Sequence, residues 1–357
     1  MVSSQKVVNT KNNFHVLIVR LSSMGDVLLA SSAVKFLRLI YGENIIISFL
    51  TWDSFSPILK NASGIDHLLT FSKTEAKLNK KNFYSSVKRH HQTHSISLIW
   101  DLQGNWWSFG LRLRFPTIVS MTIDKRKWER LILLFSRINL YKSNTLTSNE
   151  WHQVTRLWKD FAPIFTGKPL TFSLSRADLF PYRTVKEKID RVVFLPSAAH
   201  PLKKWPLQNF EKLLKILDQQ LPATTDFFCL SGPGEVDALD LGKIILRRKI
   251  KVSNSLSLPE SLALVAESKF VVSNDTGLMH QAWIHQSGIV SIFGPTVEQY
   301  GFSPYGRGVG VLSSPLICRP CSVTGSGLCW RFGTHQCMKD ITPEMVAAVV
   351  MQKWNEV

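Results

Sequence analysis

The chain has 357 residues, of which 45% are hydrophobic and 19% charged, and it carries a formal net charge of +17 at pH 7. This composition excludes a disordered chain, and the length suits two domains that each bury a core. The apolar runs are too short to span a bilayer, and the polar first thirteen residues lack the apolar region of a signal peptide. We therefore expect a soluble, cytoplasmic protein with an anionic partner, such as a phosphorylated substrate, an anionic membrane or an acidic polymer.

Apolar strand-like runs alternate with helix-like segments, which predicts an α/β fold with mostly parallel sheets. The predicted strands are 15–21, 45–50, 67–71, 96–101 and 117–121, followed by 191–195, 226–230, 249–253, 269–273 and 289–293. The glycine- and proline-containing stretch 166–183 is the best boundary, so we expect domains at 1–175 and 176–357. Two doubly wound domains facing each other across a central cleft would bind ligands at the carboxyl ends of their strands.

The first predicted strand runs into the turn 22–26, which contains Ser22, Gly25 and Asp26. A helical pattern then continues to residue 39. A carboxylate in the first turn of a helix is often only a cap that complements the helix dipole. The same position would keep Asp26 ionised, so that it could act as a general base beside a phosphate-bearing ligand. Both interpretations are open.

Basic residues gather at 73–89 and again between Arg112 and Arg130, where Lys125, Arg126 and Lys127 adjoin Trp128. The second group also flanks Trp106, Trp107, Phe109 and the apolar run 131–135. A basic, aromatic, amphipathic segment is typical of a membrane-surface element. A helix packed on the core with a solvated basic face would have the same pattern, and both alternatives stand.

Two loops of the second half offer phosphate and ribose contacts. Ser197 and Lys203 follow the strand 191–195, and a lysine in such a loop is a point charge for phosphate, unless the loop is simply solvated. Glu235 follows the strand 226–230 and is a weaker candidate for binding ribose hydroxyls.

The strand 269–273 leads into Asp275, Thr276 and Gly277, with His280 one turn later. This strand–turn–helix arrangement presents backbone N–H groups to an anionic ligand, with Thr276 as the N-cap and Gly277 permitting close approach. The alternative is a capped helix after an ordinary strand.

These segments together resemble glycosyltransferase family 9, the heptosyltransferases that add heptose from ADP-heptose to the inner core of lipopolysaccharide. The resemblance extends over roughly residues 14–348. The matching motifs are the turn 22–26, Asp101 to Asn105, Lys203 to Pro206, Asp275 to His280 and Phe293 to Thr296. The chain departs from the family near the acceptor segment, where Trp106 or Trp107 stands in place of a common arginine, so the acceptor is left open.

The resemblance implies a GT-B scaffold and an inverting transfer without a catalytic metal or other cofactor. Asp26 would deprotonate the acceptor hydroxyl. The implied donor contacts are Ser197, Lys203, Glu235, Asp275, Thr276, Gly277 and His280, and the implied acceptor contacts are Ser22, Gly25, Asp101 and Asn105. The acceptor would be an anionic glycolipid, the lipid A–Kdo core, met at the inner face of the cytoplasmic membrane of a bacterium.

Four of the five cysteines are close in sequence, namely Cys318, Cys321, Cys329 and Cys337. In a cytosolic chain such spacing favours a structural zinc or iron site over disulfides, although reduced packing thiols have the same pattern. Cys229 lies within an apolar strand, which predicts a core position.

Other functions remain to be weighed against heptosyl transfer. The same fold and donor class could serve a protein or another glycan acceptor, or the donor could be a different nucleotide sugar. A nucleic-acid-binding protein would explain the charge and the cysteines. It would leave the two carboxylate-bearing turns unexplained, and no recognised binding motif is present, so we expect no nucleic-acid partner.

Overall fold

The computed structural model describes residues 14–124, 127–136, 152–168, 176–183, 185, 187–331 and 333–357. The chain forms two compact units. Unit 1 comprises Met1–Lys125 and Val154–Arg183, and unit 2 comprises Arg126–Gln153 and Thr184–Val357. The predicted boundary at 175 and 176 stays a prediction, because residues 169–175 lie outside the described residues.

Unit 1 contains a parallel sheet with the strand order β3-β2-β1-β4-β5. Its strands are β1 (Phe14–Val19), β2 (Ile45–Trp52), β3 (His67–Phe71), β4 (Leu98–Asp101) and β5 (Val119–Thr122). The chain builds outward from β1 to β3 and then returns to β4 on the other side of β1. The pair β1 and β4 is therefore the topological switch point, where ligands bind in doubly wound sheets.

Helices cover both faces of this sheet. They are α1 (Met24–Ala30), α2 (Ser32–Tyr41), α3 (Ser56–Lys60), α4 (Lys73–Leu78), α5 (Lys80–His94), α6 (Trp106–Arg114) and α8 (Gln153–Thr166). On one face, Phe83 and Val87 of α5 pack on Leu17 and Val19 of β1. On the other face, α2 and α8 supply the aromatic partners of Trp100, whose ring centroid lies 4.8 Å from that of Phe161. Continuous burial of β1 follows from this double cover.

Unit 2 contains a six-stranded parallel sheet with the order β11-β10-β9-β6-β7-β8. Its strands are β6 (Ile189–Leu195), β7 (Asp226–Leu230), β8 (Ile250–Ser253), β9 (Ser268–Asn274), β10 (Gly288–Phe293) and β11 (Val309–Ser313). Read from β8 to β11, this is the strand order of a dinucleotide-binding sheet, and its switch point lies between β6 and β9.

The helices of unit 2 are α7 (Lys127–Ser136), α9 (Leu207–Gln220), α10 (Asp237–Leu241), α11 (Leu258–Glu267), α12 (Gly277–Ile284), α13 (Gln336–Lys339) and α14 (Pro343–Trp354). Phe210 and Leu214 of α9 join Val350 of α14 in the core on one face of the sheet. Val265 of α11 and Met279 of α12 pack on the other face.

The α/β class and the ten predicted strands agree with the structure, while β11 was not predicted. Helix α7 lies in unit 2. Leu133 of α7 is buried against Tyr300, and Arg130 donates to the Tyr300 carbonyl at 3.1 Å, both within unit 2. No helix in the described ranges is long and apolar enough to cross a membrane.

Candidate active site

The sequence-predicted side chains lie at the carboxyl edges of the two sheets, next to the two switch points. In unit 1 the turn 22–26 follows β1, and the segment 101–105 leaves its neighbour β4. In unit 2 Lys203 follows β6, and Asp275 follows its neighbour β9. Each sheet therefore presents two polar loops side by side, in the crevice where parallel sheets bind ligands.

Asp26 is the third residue of α1 and forms a capping box with Ser23. The Ser23 backbone N–H and Oγ donate to Asp26 Oδ2 at 3.1 and 2.8 Å. Arg20 Nη2 lies 2.6 Å from Asp26 Oδ1, and the Asp26 side chain is 19% exposed. The carboxylate is thus fixed on both oxygens while one side remains accessible to solvent.

Burial by itself raises the pKa of the Asp26 carboxyl, but the positive charge of Arg20 and the hydrogen bonds from Ser23 outweigh it and lower the pKa below its ordinary value. The group is therefore ionised at neutral pH. Arg20 is itself held in place, since its Nη1 donates to the carbonyl of Leu102 in the loop after β4.

The loop after β4 is organised by its own polar side chains. Asp101 is fully buried, and its Oδ1 accepts from the backbone N–H groups of Gln103 and Gly104 at 2.9 and 2.8 Å. Asn105 caps α6 by accepting from two backbone N–H groups at its start. Gln103 Oε1 accepts from the Ser22 N–H at 3.1 Å and so ties the two loops together. Contact of Ser22, Gly25, Asp101 and Asn105 with an acceptor stays a prediction.

In unit 2, Lys203 and Asp275 form an ion pair at the switch point. Lys203 Nζ lies 2.6 Å from Asp275 Oδ2, and the two side chains are 15% and 8% exposed. Thr296 Oγ1, from the loop after β10, donates to the same carboxylate oxygen at 2.9 Å. Two other loops therefore converge on the Asp275 carboxylate.

Thr276 is the N-cap residue of α12, as predicted, with an extended backbone at φ −136° and ψ 171°. Gly277 begins the helix, and the first N–H groups of a helix have no partner within it. His280 lies in the next turn and is 4% exposed. Because parallel strands β6 and β9 are neighbours, this helix start and Lys203 share the edge of the sheet at which an anion would bind.

A second polar group occupies the same edge. Ser197 Oγ hydrogen-bonds to Ser231 Oγ at 3.0 Å and to Asp237 Oδ2 at 2.8 Å, and Lys204 pairs with the same Asp237 oxygen at 2.8 Å. Glu235 accepts from the Gly232 N–H at 2.8 Å and so closes its own turn. Ser197 and Glu235 are partly exposed in these positions.

Asn274, the last residue of β9, joins the two central loops. Its Oδ1 accepts from the Trp205 N–H at 3.0 Å, and its Nδ2 donates to the Pro196 carbonyl at 2.7 Å. The side chain is fully buried. Asn274 therefore fixes the position of the Lys203 loop relative to the start of α12.

The predicted zinc or iron site at the cysteines is not supported. Across the described ranges, no three His, Cys, Asp or Glu residues are arranged to hold a metal ion. None of the five cysteines, all within those ranges, forms a disulfide. Burial raises the pKa of the Cys337 thiol to about 11. Cys229 is fully buried, as predicted.

The residues of these networks that were not assigned from the sequence include Arg20, Gln103 and Asp237. A signal existed for Arg20, because this arginine directly follows the apolar run 16–19, and arginine is rarely buried without a partner. The others bond to backbone groups or to loops that are distant in sequence, and no local sequence pattern predicts such contacts.

A family model described as glycosyltransferase family 9 (heptosyltransferase) matches residues 86–329, more than half of the chain. Lipooligosaccharide heptosyltransferase 2 of Haemophilus influenzae is 30% identical over 169 residues, which is 46% of this chain and 46% of that protein. The protein of the same name from Haemophilus ducreyi is 29% identical over 178 residues, covering 47% and 49%. The chain thus aligns with about half the length of the curated relatives it matches.

Two solved structures are similar over nearly the whole chain. E. coli heptosyltransferase WaaC with ADP-2-deoxy-2-fluoro heptose has a TM-score of 0.68 at 19% identity and covers 95% of this chain and 99% of its own. E. coli ADP-heptose lps heptosyltransferase II has a TM-score of 0.65 at 18% identity and covers 96% and 99%. These similarities concern the fold, and the predicted GT-B fold class is confirmed.

Proposed function

Because this chain belongs to glycosyltransferase family 9 (heptosyltransferase), we propose that it transfers heptose from ADP-heptose to the inner core of lipopolysaccharide, with inversion at the anomeric carbon. One observation carries this proposal: the 2.6 Å pair of Lys203 and Asp275 at the switch point of unit 2, on the same sheet edge as the start of α12. A cation and a helix N-terminus together suit a nucleoside diphosphate.

In this proposal unit 2 binds the donor. An ammonium group has three N–H donors, so Lys203 can hold Asp275 with one and the diphosphate with the others. The N–H of the N-cap residue Thr276 and the first N–H of α12, at Gly277, would bind the same phosphates. As the bond between the anomeric carbon and the phosphate oxygen breaks, the negative charge that develops on ADP is stabilised by these groups. Ser197, Glu235 and His280 complete the donor contacts.

Unit 1 supplies the base. A carboxylate has about four lone-pair sites, and Arg20 and Ser23 use three of those on Asp26. The remaining capacity accepts the proton of the acceptor hydroxyl while its oxygen attacks the anomeric carbon. The lowered pKa ensures that the base is ionised before the reaction, at the cost of some proton affinity.

The acceptor is proposed to be an anionic glycolipid, the lipid A–Kdo core, at the inner face of the cytoplasmic membrane. Helix α6 exposes Trp106 (86%), Phe109 (43%) and Leu113 (62%) on one face, beside Arg112 and Arg114. Apolar side chains next to cationic ones suit the interface of an anionic bilayer. Helix α7 likewise exposes Trp128 and Phe135. The side chains of residues 125–127 lie outside the part of the chain that the structure describes.

The direct test is turnover of ADP-heptose with heptose-free and one-heptose lipid acceptors, which also identifies the position that is extended. We expect ADP release only with a lipid acceptor, and we expect activity to persist in EDTA, because Lys203 and the amides supply the positive charge. Strict dependence on a divalent metal would contradict this mechanism. Turnover with a protein acceptor or a different nucleotide sugar would replace the proposed substrates.

Two variants test the assigned roles. Asp26→Asn should bind ADP normally and lose about 10²- to 10⁴-fold in turnover, because an amide cannot accept the proton. Asp66→Asn is its matched control, since Asp66 pairs with Arg38 and accepts from the Ile47 N–H, both at 2.7 Å, on the opposite edge of the same sheet. Equal losses in the two variants would show that only the fold had been affected.

Lys203→Ala should weaken ADP binding and reduce turnover by about 100-fold. Lys251→Ala is the control, because Lys251 forms a comparable but exposed pair with Asp226 at 2.9 Å in the same unit. Unchanged ADP affinity in Lys203→Ala would remove the lysine from the donor site.

A further inference from the structure

The segment 318–329, here called the cysteine loop, has no part in the proposed chemistry, yet it packs on the donor loops. Its Cys321 N–H donates to the Pro295 carbonyl at 3.1 Å. Arg319 Nη2 donates to the Thr296 carbonyl at 2.9 Å, and the same guanidinium also bonds the carbonyls of Gly294 and Ser314. Thr296 is the residue that donates to Asp275, so the cysteine loop is fixed to the support of the ion pair.

The tip of this loop lies directly on Lys203. A Cβ placed on Gly325 would be 2.6 Å from Lys203 Cε, 2.7 Å from Cγ and 2.9 Å from Cδ. The lysine stem therefore runs along the bare main chain of the glycine, and no side chain fits between them. Gly325 also has φ +88°, a conformation that favours glycine.

A serine holds this tip closed. Ser322 Oγ accepts from the Gly325 N–H at 2.8 Å and donates to the Ser326 carbonyl at 2.8 Å. The turn at Gly325 is thus fixed from within as well as anchored at its base. This rigidity matters because a lysine has many rotamers, and ordering it when the ligand binds reduces affinity.

We propose that the cysteine loop is a positioning element for the sugar-nucleotide donor, in which Gly325 and Ser322 confine the stem of Lys203 so that its Nζ already points to the diphosphate. The proposal rests on the proposed role of Lys203 in donor binding. It assigns the loop a steric function that involves neither a metal nor a disulfide.

The experiment compares Gly325→Ala with Gly327→Ala by calorimetric titration with ADP and by the KM for ADP-heptose. Gly327 lies in the same loop with φ +96°, and a Cβ there would meet nothing within 4 Å. The two positions therefore have similar positive φ angles, and a Cβ would meet Lys203 at one of them and open space at the other. We expect Gly325→Ala to weaken ADP binding about tenfold, the loss of one charge-assisted hydrogen bond, and Gly327→Ala to change it less than about twofold.

A double-mutant comparison separates positioning from a general structural effect. In the Lys203→Ala background, Gly325→Ala should have no further effect on ADP affinity, because the confined side chain is absent. Ser322→Ala, which adds no atom, should weaken ADP binding several-fold in the parent chain and not in Lys203→Ala, and it provides the test if Gly325→Ala does not fold. Equal ADP affinity of the Gly325 and Gly327 variants, or additive losses with Lys203→Ala, would overturn the proposal. If Lys203→Ala itself binds ADP normally, the proposed donor site fails instead.

Discussion

Acidification should loosen unit 1 through four histidines on the amino side of its sheet. His15 lies in β1, His67 in β3, and His90 and His94 one turn apart in α5. The ring centroids of His67 and His94 are 4.2 Å apart, and those of His90 and His94 are 4.5 Å apart. Ser48 Oγ hydrogen-bonds His15 Nε2 at 2.7 Å and His90 Nε2 at 2.8 Å. Four closely packed imidazoles, two of which share the Ser48 hydroxyl, tolerate few added protons.

Burial, reinforced by the neighbouring imidazoles, lowers the pKa of His90 from 6.5 to about 4. The pKa values of His15 and His67 are also lowered, chiefly by burial, although Asp66, which faces both from the start of β3 and pairs with Arg38, partly opposes this. Below pH 6.5 the unfolded chain therefore binds more protons than the folded one, and stability falls as the pH drops toward 4. At pH 5 the full shift of His90 corresponds to about 2 kcal/mol, and solvent screening of this partly exposed ring reduces it to about 1 kcal/mol.

Hydrogen–deuterium exchange of peptides from α5 measures this loss locally. Comparing pH 7.5 with pH 5, after correction for the intrinsic rate, we expect protection of α5 to fall by roughly fivefold or more. His90→Gln keeps a polar group near Ser48 but does not titrate, so its α5 protection should depend less on pH. The variant should leave the pH response of α9 in unit 2 unchanged. The same pH dependence of α5 in the parent and in His90→Gln would refute the role of this ring.

Three further outcomes follow from the site. Arg20→Met should raise the pKa of Asp26, so the acidic limb of the profile of kcat/KM against pH should move to higher pH; an unmoved limb would mean that another group titrates there. Asn105→Ala removes the N-cap of α6 and should lower the free energy of unfolding by about 1 kcal/mol in urea titrations. An unchanged free energy of unfolding would show that the two cap hydrogen bonds do not contribute to stability. Trp106→Ser should reduce binding to anionic liposomes in sedimentation assays at low salt without altering ADP affinity, and undiminished binding would remove α6 from the membrane surface.

The strands were predictable because most of them are buried on both faces and so form unbroken apolar runs between polar turns. Strand β11 was not predicted because it is a short edge strand in which Gly310 is the second residue, and this glycine weakens the apolar pattern. The turn at Asp26 and the start of α12 were predictable because helix capping depends on residues that are adjacent in the sequence. Asp237 was not assigned, because its partners Ser197 and Lys204 are distant in sequence, and the bond from Arg20 to the Leu102 carbonyl was missed for the same reason.

The cysteines show a different limit of sequence reasoning. Their spacing reports proximity along the chain, which metal sites, disulfides and packed thiols share. What the structure adds is Arg319 between two of them, whose guanidinium binds three backbone carbonyls. Arg319 thus holds the base of the cysteine loop in place, and the spacing of the cysteines does not predict these hydrogen bonds.

Asn274 has a consequence for changing the donor that this chain accepts. Its carboxamide is used at both ends, as an acceptor toward Trp205 and as a donor toward Pro196. Aspartate would oppose the Pro196 carbonyl with a second acceptor, and leucine would leave two buried backbone groups unsatisfied, so neither can substitute. A library designed to alter sugar-nucleotide preference should therefore hold position 274 constant and vary Glu235, which lies on the same rim and whose carboxylate closes only its own turn.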